Sequence, residues 1–214
     1  MSDLGIHDFW LFVLTGVVLN LTPGADTLLV VSRTAAGGFR HGAAAALGIA
    51  LGCLVHAVAA ALGVAALLAA SAEAFRLLTW VGAAYLAWLG LQMLRQARKP
   101  VPAETGAGAA SNGGCRAAFL QGVLTNVLNP KVGLFFLAFV PQFVSPDAAS
   151  PLAAFLTLGL VFDLTGGLWL LTVAALTVRL RGSVSSAASR WLHGVGGALF
   201  LLLAWRLAFD RKAA

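Results

Sequence analysis

Apolar residues run almost unbroken through six stretches of the chain: Ile6 to Val31, Ala43 to Ala70, Leu77 to Leu94, Ala117 to Val144, Leu152 to Val178 and Trp191 to Phe209. Each approaches or exceeds the roughly 20 residues that a helix needs to cross a bilayer. The pattern predicts an all-α polytopic membrane protein with six transmembrane helices. Two of the six are interrupted. Asn20-Leu21-Thr22-Pro23-Gly24-Ala25-Asp26 sets a proline, a glycine and a carboxylate inside the first, and Asn126, Asn129, Pro130 and Lys131 lie inside the fourth. Proline removes a backbone donor and clashes with the carbonyl four residues back, and a carboxylate at mid-bilayer costs roughly 2.5 to 3.5 kcal/mol on insertion scales. Both stretches read as built-in helix breaks.

The two breaks match each other. Leu14 to Pro23 and Leu120 to Pro130 both contain Gly-Val, an asparagine four residues after that glycine, and then a proline. In the second and fifth stretches, Gly52 precedes His56 as Gly159 precedes Asp163, and in the third and sixth Gly82-Ala83-Ala84-Tyr85-Leu86 faces Gly196-Gly197-Ala198-Leu199-Phe200. Three spans per half force the halves into opposite orientation, which is the inverted repeat of secondary transporters with paired broken helices at the midplane. The expected organisation is a first three-helix repeat over 1-99, a flexible linker over 100-116 that is rich in Ala, Gly and Pro, and a second three-helix repeat over 117-214. Gly48, Gly52 and His56 fall four apart on one helical face, and the glycines there predict close packing of a neighbouring helix.

Composition agrees with the hydropathy pattern: 60% of the 214 residues are hydrophobic and 10% charged. The net charge of +6 would suggest nucleic acid in a soluble protein, but most of the cations sit in short loops between spans, which excludes that reading. Arg33 and Arg40 are assigned to the first loop, Arg95, Arg98, Lys99 and Arg116 to the third, and Arg179, Arg181 and Arg190 to the fifth. The second loop carries only Arg76 and the fourth none. Positive charge marks the cytoplasmic side, so the odd loops are expected inside and both termini outside, although the basic tail with Arg206, Arg211 and Lys212 opposes this. No lysine or arginine precedes Arg33, so the basic start of a cleaved signal is lacking and the first span is expected to persist. Cys53 and Cys115 suggest neither a disulfide framework nor a metal site. Trp10, Trp169, Trp191 and Trp205 fit an interfacial aromatic belt.

The ionisable groups inside spans are Asp26, His56, Lys131 and Asp163. A broken helix offers them two partners: free amides after the break, which suit an anion, and carbonyls released before it, which suit a cation. An amino acid zwitterion carries one charge for each. Asn20, Pro23, Gly24, Asp26, Asn126, Asn129, Pro130 and Lys131 are therefore the candidate substrate site. Asp26 would receive the ammonium or a coupled proton, while Lys131 would meet the carboxylate or pair with Asp26 or Asp163. Asp26, His56 and Asp163 are the candidates for proton coupling. No nucleophile elbow, phosphate loop or zinc-protease motif is present, so an enzyme or an ATP-driven pump is not expected and no cofactor is implied. Two other readings remain open at this point: a membrane-embedded enzyme acting on a lipid-like substrate through Asp26, His56 and Asp163, and a metal-ion exporter.

Several blocks taken in order resemble a known family. They are Thr22-Pro23-Gly24 with Asp26, Ser32-Arg33, Gly42 with Ala44 to Gly48, Gly52 with His56, Gly82 to Leu86 with Leu89-Gly90, Asn129-Pro130-Lys131 and Pro141-Gln142-Phe143. Together they are similar to the lysine exporter (LysE) family and its homoserine and threonine exporter (RhtB) branch. The resemblance implies a six-span exporter of amino acids or derivatives in the inner (plasma) membrane, driven by the proton gradient and assembled as a homo-oligomer. Its implied partners are a small amino acid, protons and the lipid bilayer. Ala25 stands where many members have a second proline, and Cys53 where many carry an acidic or amide residue.

Overall fold

The computed structural model describes residues 4–70, 72–98, 113–145 and 148–180, together with 198, 201, 202, 204 and 205, which are helical. The helices run in order as α1 (Phe9–Leu21), α2 (Ala25–Gly37), α3 (Phe39–Ala70), α4 (Ala72–Ala97), α5 (Cys115–Val127), α6 (Pro130–Ala138) and α7 (Pro151–Leu180). No named strand occurs among the described residues, and a single antiparallel bridge joins Ile6 to Val144. Two helices are long and apolar enough to cross a membrane, or up to four spans if each bent pair counts as one. Most of the expected sixth span, Trp191 to Phe209, and most of the 100-116 linker lie outside the described residues.

Both predicted breaks are present. α1 and α2 meet at 50°, and α5 meets the segment Pro130–Phe143 at 49°. Pro23 has no N–H to continue α1, so the last turn tightens: the Thr22 amide donates to both Val18 (3.1 Å) and Leu19 (3.2 Å). α2 restarts with Leu28 donating to the Gly24 carbonyl at 3.0 Å. At the second break the Asn129 amide donates to the Asn126 carbonyl at 2.9 Å. α6 then begins with Pro130 in its first turn, and the Asn129 side chain accepts from the Lys131 amide at 3.0 Å. Proline loses nothing there, because a first-turn amide has no intrahelical partner in any case.

α3 is the central element, packing against α5, α7 and α2. Its glycine face is where α5 lies. A Cβ added at Gly52 would sit 2.8 Å from Asn126 Cβ and 3.0 Å from the Val123 carbonyl, and one at Gly122 would sit 3.0 Å from the Ile49 amide. Small residues let these backbones approach, and the contact holds Asn126 against α3. Gly52→Leu is expected to push the two helices apart, at a cost of about 2 kcal/mol, and to lower the melting temperature in detergent by about 5 °C. A differential scanning fluorimetry trace that matches wild type would show that the crossing tolerates bulk.

A cluster of phenylalanines fills the space between α1, α6, the 3-10 turn Val140–Phe143 and α7. Phe12, Phe135, Phe136 and Phe139 are fully enclosed, and Phe135 stacks on Phe162 with ring centroids 4.4 Å apart. The sequence reading placed Arg33 in the first loop; the structure corrects this. α2 continues to Gly37 and turns only at Gly38, whose φ of 76° is one that glycine adopts without cost. Arg33 therefore lies within the helix, 8% exposed, and its Nε donates to Gln121 Oε1 of α5 at 2.7 Å, with Nη2 donating to the same oxygen.

Candidate functional site

The two breaks lie side by side and exchange their charged groups. Asp26, in the first turn of α2, has Oδ2 held by two amides of the other break, Asn126 Nδ2 at 3.0 Å and Asn129 Nδ2 at 3.2 Å. Lys131, in the first turn of α6, sends its ammonium back to α1, where Nζ donates to the carbonyls of Leu19 (3.0 Å) and Thr22 (3.3 Å). No ion pair within 4.0 Å joins Asp26 or Asp163 to Lys131 among the described residues. Of the partners expected for Lys131, neither carboxylate is in contact, and the released carbonyls take that place.

The prolines explain which carbonyls are available. In an uninterrupted helix the carbonyl of residue 19 would accept from the amide of residue 23, and that of residue 126 from residue 130. Both donors are replaced by proline. Leu19 accepts instead from Lys131 Nζ, and the Asn126 carbonyl lies 3.0 Å from His56 Nε2. A carbonyl can only accept, so Nε2 carries the proton in this arrangement. Each break thus presents to a basic side chain from a different helix a carbonyl that has lost its usual donor four residues on and keeps only an amide three residues on.

Between the breaks lies a cavity of about 50 Å³, enough for a few water molecules in this conformation. Of the sequence candidates, Asn20, Gly24, Asp26, Asn126, Asn129, Lys131 and Asp163 line it. Pro23, Pro130 and His56 do not; the prolines shape the breaks and His56 stands behind Asn126. Asn20 crosses to α7, donating to the Phe162 carbonyl at 3.3 Å and Thr165 Oγ1 at 3.2 Å, where Gly166 leaves room for its amide. Of the three proton-coupling candidates, Asp26 and Asp163 line the cavity and His56 does not. Asp163 sits beside the Cys53 thiol on the cavity wall, whereas His56 reaches the site only through Asn126.

Three cavity-lining polar atoms are buried and have no hydrogen-bond partner among the described residues: Asp26 Oδ1, Asn126 Oδ1 and Trp169 Nε1. The asparagine oxygen is assigned by its amide, since Nδ2 must face the acceptor-only carboxylate. A buried polar atom left without a partner costs roughly 1 to 3 kcal/mol, so two acceptors and one donor on residues that line one cavity are candidates for bonding to a ligand. Sequence reading gave Trp169 to an interfacial belt. It lies well inside the 30-residue α7 and, with its neighbour Leu170, lines the cavity. Cys53, which suggests neither a disulfide nor a metal site, also lines it.

A family model described as LysE type translocator matches residues 17–211. An uncharacterized membrane protein of Pseudomonas aeruginosa is 41% identical over 84% of this chain and 84% of its own length. A homoserine/homoserine lactone efflux protein of Salmonella typhi is 31% identical over 96% of this chain and 98% of its own. A leucine efflux protein of Enterobacter sp. is 28% identical over 97% of this chain and 98% of its own. No solved structure matches this chain.

Proposed function

Since the chain belongs to the LysE type translocator family and is a translocator rather than an enzyme, we propose that it is a secondary transporter exporting neutral amino acids or their derivatives from the cytoplasm. Homoserine- and threonine-like molecules and leucine are the leading substrates, and the proton gradient supplies the driving force. One observation carries the reading: a cavity between two broken helices is lined by Asp26 and Asn126, each of which keeps one buried acceptor oxygen without a partner among the described residues. An α-ammonium donates three hydrogen bonds and suits a carboxylate and an amide oxygen placed together.

The donors for the other end of a zwitterion are on the same wall. Lys131 Nζ uses two of its three protons on carbonyls, Trp169 Nε1 has no partner among the described residues, and α2 starts at Gly24 with no side chain capping its first-turn amides. These suit a carboxylate, as the positive end of a half-helix does. The proposed proton-coupling groups are Asp26, His56 and Asp163. Two inverted repeats, 1-99 and 117-214, also fit the packing, because α3 contacts α5 and α6 as α7 contacts α1 and α2. The proposed setting is the inner membrane, with six spans and both termini outside; a homo-oligomer is part of the same proposal.

The deciding experiment loads cells with dipeptides and compares internal and external amino acids with and without the protein. Faster efflux of a neutral amino acid, lost on addition of an uncoupler, is the expected result; identical efflux in both strains would refute the proposal. Within this reading, Trp169→Phe keeps the ring and removes one N–H. It should raise the substrate concentration for half-maximal export about tenfold with little change in maximal rate, the size expected for one hydrogen bond to a charged group.

A further inference from the structure

The carbonyls of Leu19 and Thr22 form a cation cradle at the first break, and the cradle is filled by Lys131. Carbonyls exposed by an interrupted membrane helix are the kind of ligand that transporters offer to a coupling cation. Here the cation comes from the chain itself, across 112 and 109 residues of sequence, and Asn129 caps the Lys131 amide to fix where its stem begins. Gly24 leaves the approach open: a Cβ there would lie 3.9 Å from Nζ. A tethered group binds as if at millimolar concentration or higher, with no entropy of capture to repeat in each cycle. The neighbouring carboxylate, that of Asp26, forms no ion pair with the ammonium within 4.0 Å among the described residues, and its Oδ2 is held by two asparagine amides.

We infer that Lys131 is a built-in substitute for a coupling metal cation, so that export by this protein needs no sodium or other alkali ion. The inference rests on the transport reading above and adds to it the ion dependence and the residue that sets it. Pro23 keeps α1 interrupted, and an ammonium in the cradle bonds the carbonyls that the break exposes. Emptying it by mutation should convert a sodium-independent transporter into one that responds to small external cations.

The test uses the full chain in liposomes loaded with labelled leucine or homoserine, under an imposed proton gradient, in sodium or choline buffer. Wild type should export equally in both. Lys131→Ala should export about tenfold more slowly in choline, with water in the emptied cradle replacing part of the two lost charge-assisted hydrogen bonds, and recover severalfold when sodium or methylammonium is added. A wild type that requires sodium overturns the inference. So does a correctly inserted Lys131→Ala that keeps the wild-type rate in choline, or one that neither ion restores. If Lys131→Ala fails to insert, Lys131→Met, which keeps an unbranched stem and removes the charge, is put through the same buffers and read in the same way. A wild type that exports neither amino acid in any salt overturns the transport reading, and this inference with it.

Discussion

Asp26→Asn should reduce amino acid export about 100-fold while the protein still reaches the membrane. The substitution keeps the shape of the side chain and removes its charge. Two amides, from Asn126 and Asn129, already donate to Oδ2, and the second oxygen faces the cavity without a partner among the described residues. An asparagine at this position keeps only one oxygen. Turned toward the two amides, it aims its own NH₂ at the arriving ammonium; turned the other way, it sets donor against donor at the break. Either arrangement loses a charge-assisted hydrogen bond in a site shielded from water, worth about 3 kcal/mol, which is roughly two decades in rate or affinity. Initial efflux rates from preloaded cells, normalised to the amount of protein in the membrane, measure this directly. Export at the wild-type rate would place the ammonium site elsewhere.

What could be read from the sequence here follows from what is local. Pro23 and Pro130 announce their breaks because a missing N–H acts within one turn, and the bends of 50° and 49° fall where the prolines stand. The glycine face of α3 was equally visible, since Gly48 and Gly52 are spaced by one helical turn. Long-range partners were not. Nothing near Lys131 indicates that its ammonium ends on Leu19 and Thr22, because that pairing depends on how α1 and α6 approach in space. Charge alone suggests Asp26 or Asp163, but the break at Pro23 frees the Leu19 and Thr22 carbonyls from their usual helical donors, and these take the ammonium. Arg33 was misplaced for a similar reason: the nearby Gly37-Gly38 looked like the loop, but Gln121 holds the arginine inside the bundle. Trp169 had a local signal that was passed over. It follows Gly166-Gly167 by less than a turn, and a tryptophan that deep in a long apolar helix is far from either membrane surface.

Pro23→Ala tests whether the break itself is needed, apart from the groups gathered around it. Alanine supplies an N–H at position 23 and the strongest helix propensity, so α1 can run on toward α2. The new donor is aimed at the Leu19 carbonyl, which Lys131 Nζ now uses at 3.0 Å, and a further turn would direct the amide of residue 26 to the Thr22 carbonyl. Lys131 then loses its cradle without being mutated, and Asp26 is pulled toward the axis of a straightened helix, away from Asn126 and Asn129. Helix continuity should favour membrane insertion, so protein level is expected to match or exceed that of wild type, while efflux falls about 30-fold, in line with losing about 2 kcal/mol of polar contacts at the site. Lys131→Ala added to Pro23→Ala should lower efflux little further, because both changes empty the same cradle, and sodium or methylammonium should fail to restore the double variant. Pro23→Ala protein that exports normally would show that Lys131 does not need the released carbonyls, and would leave the orphaned oxygens of Asp26 and Asn126 to carry recognition by themselves.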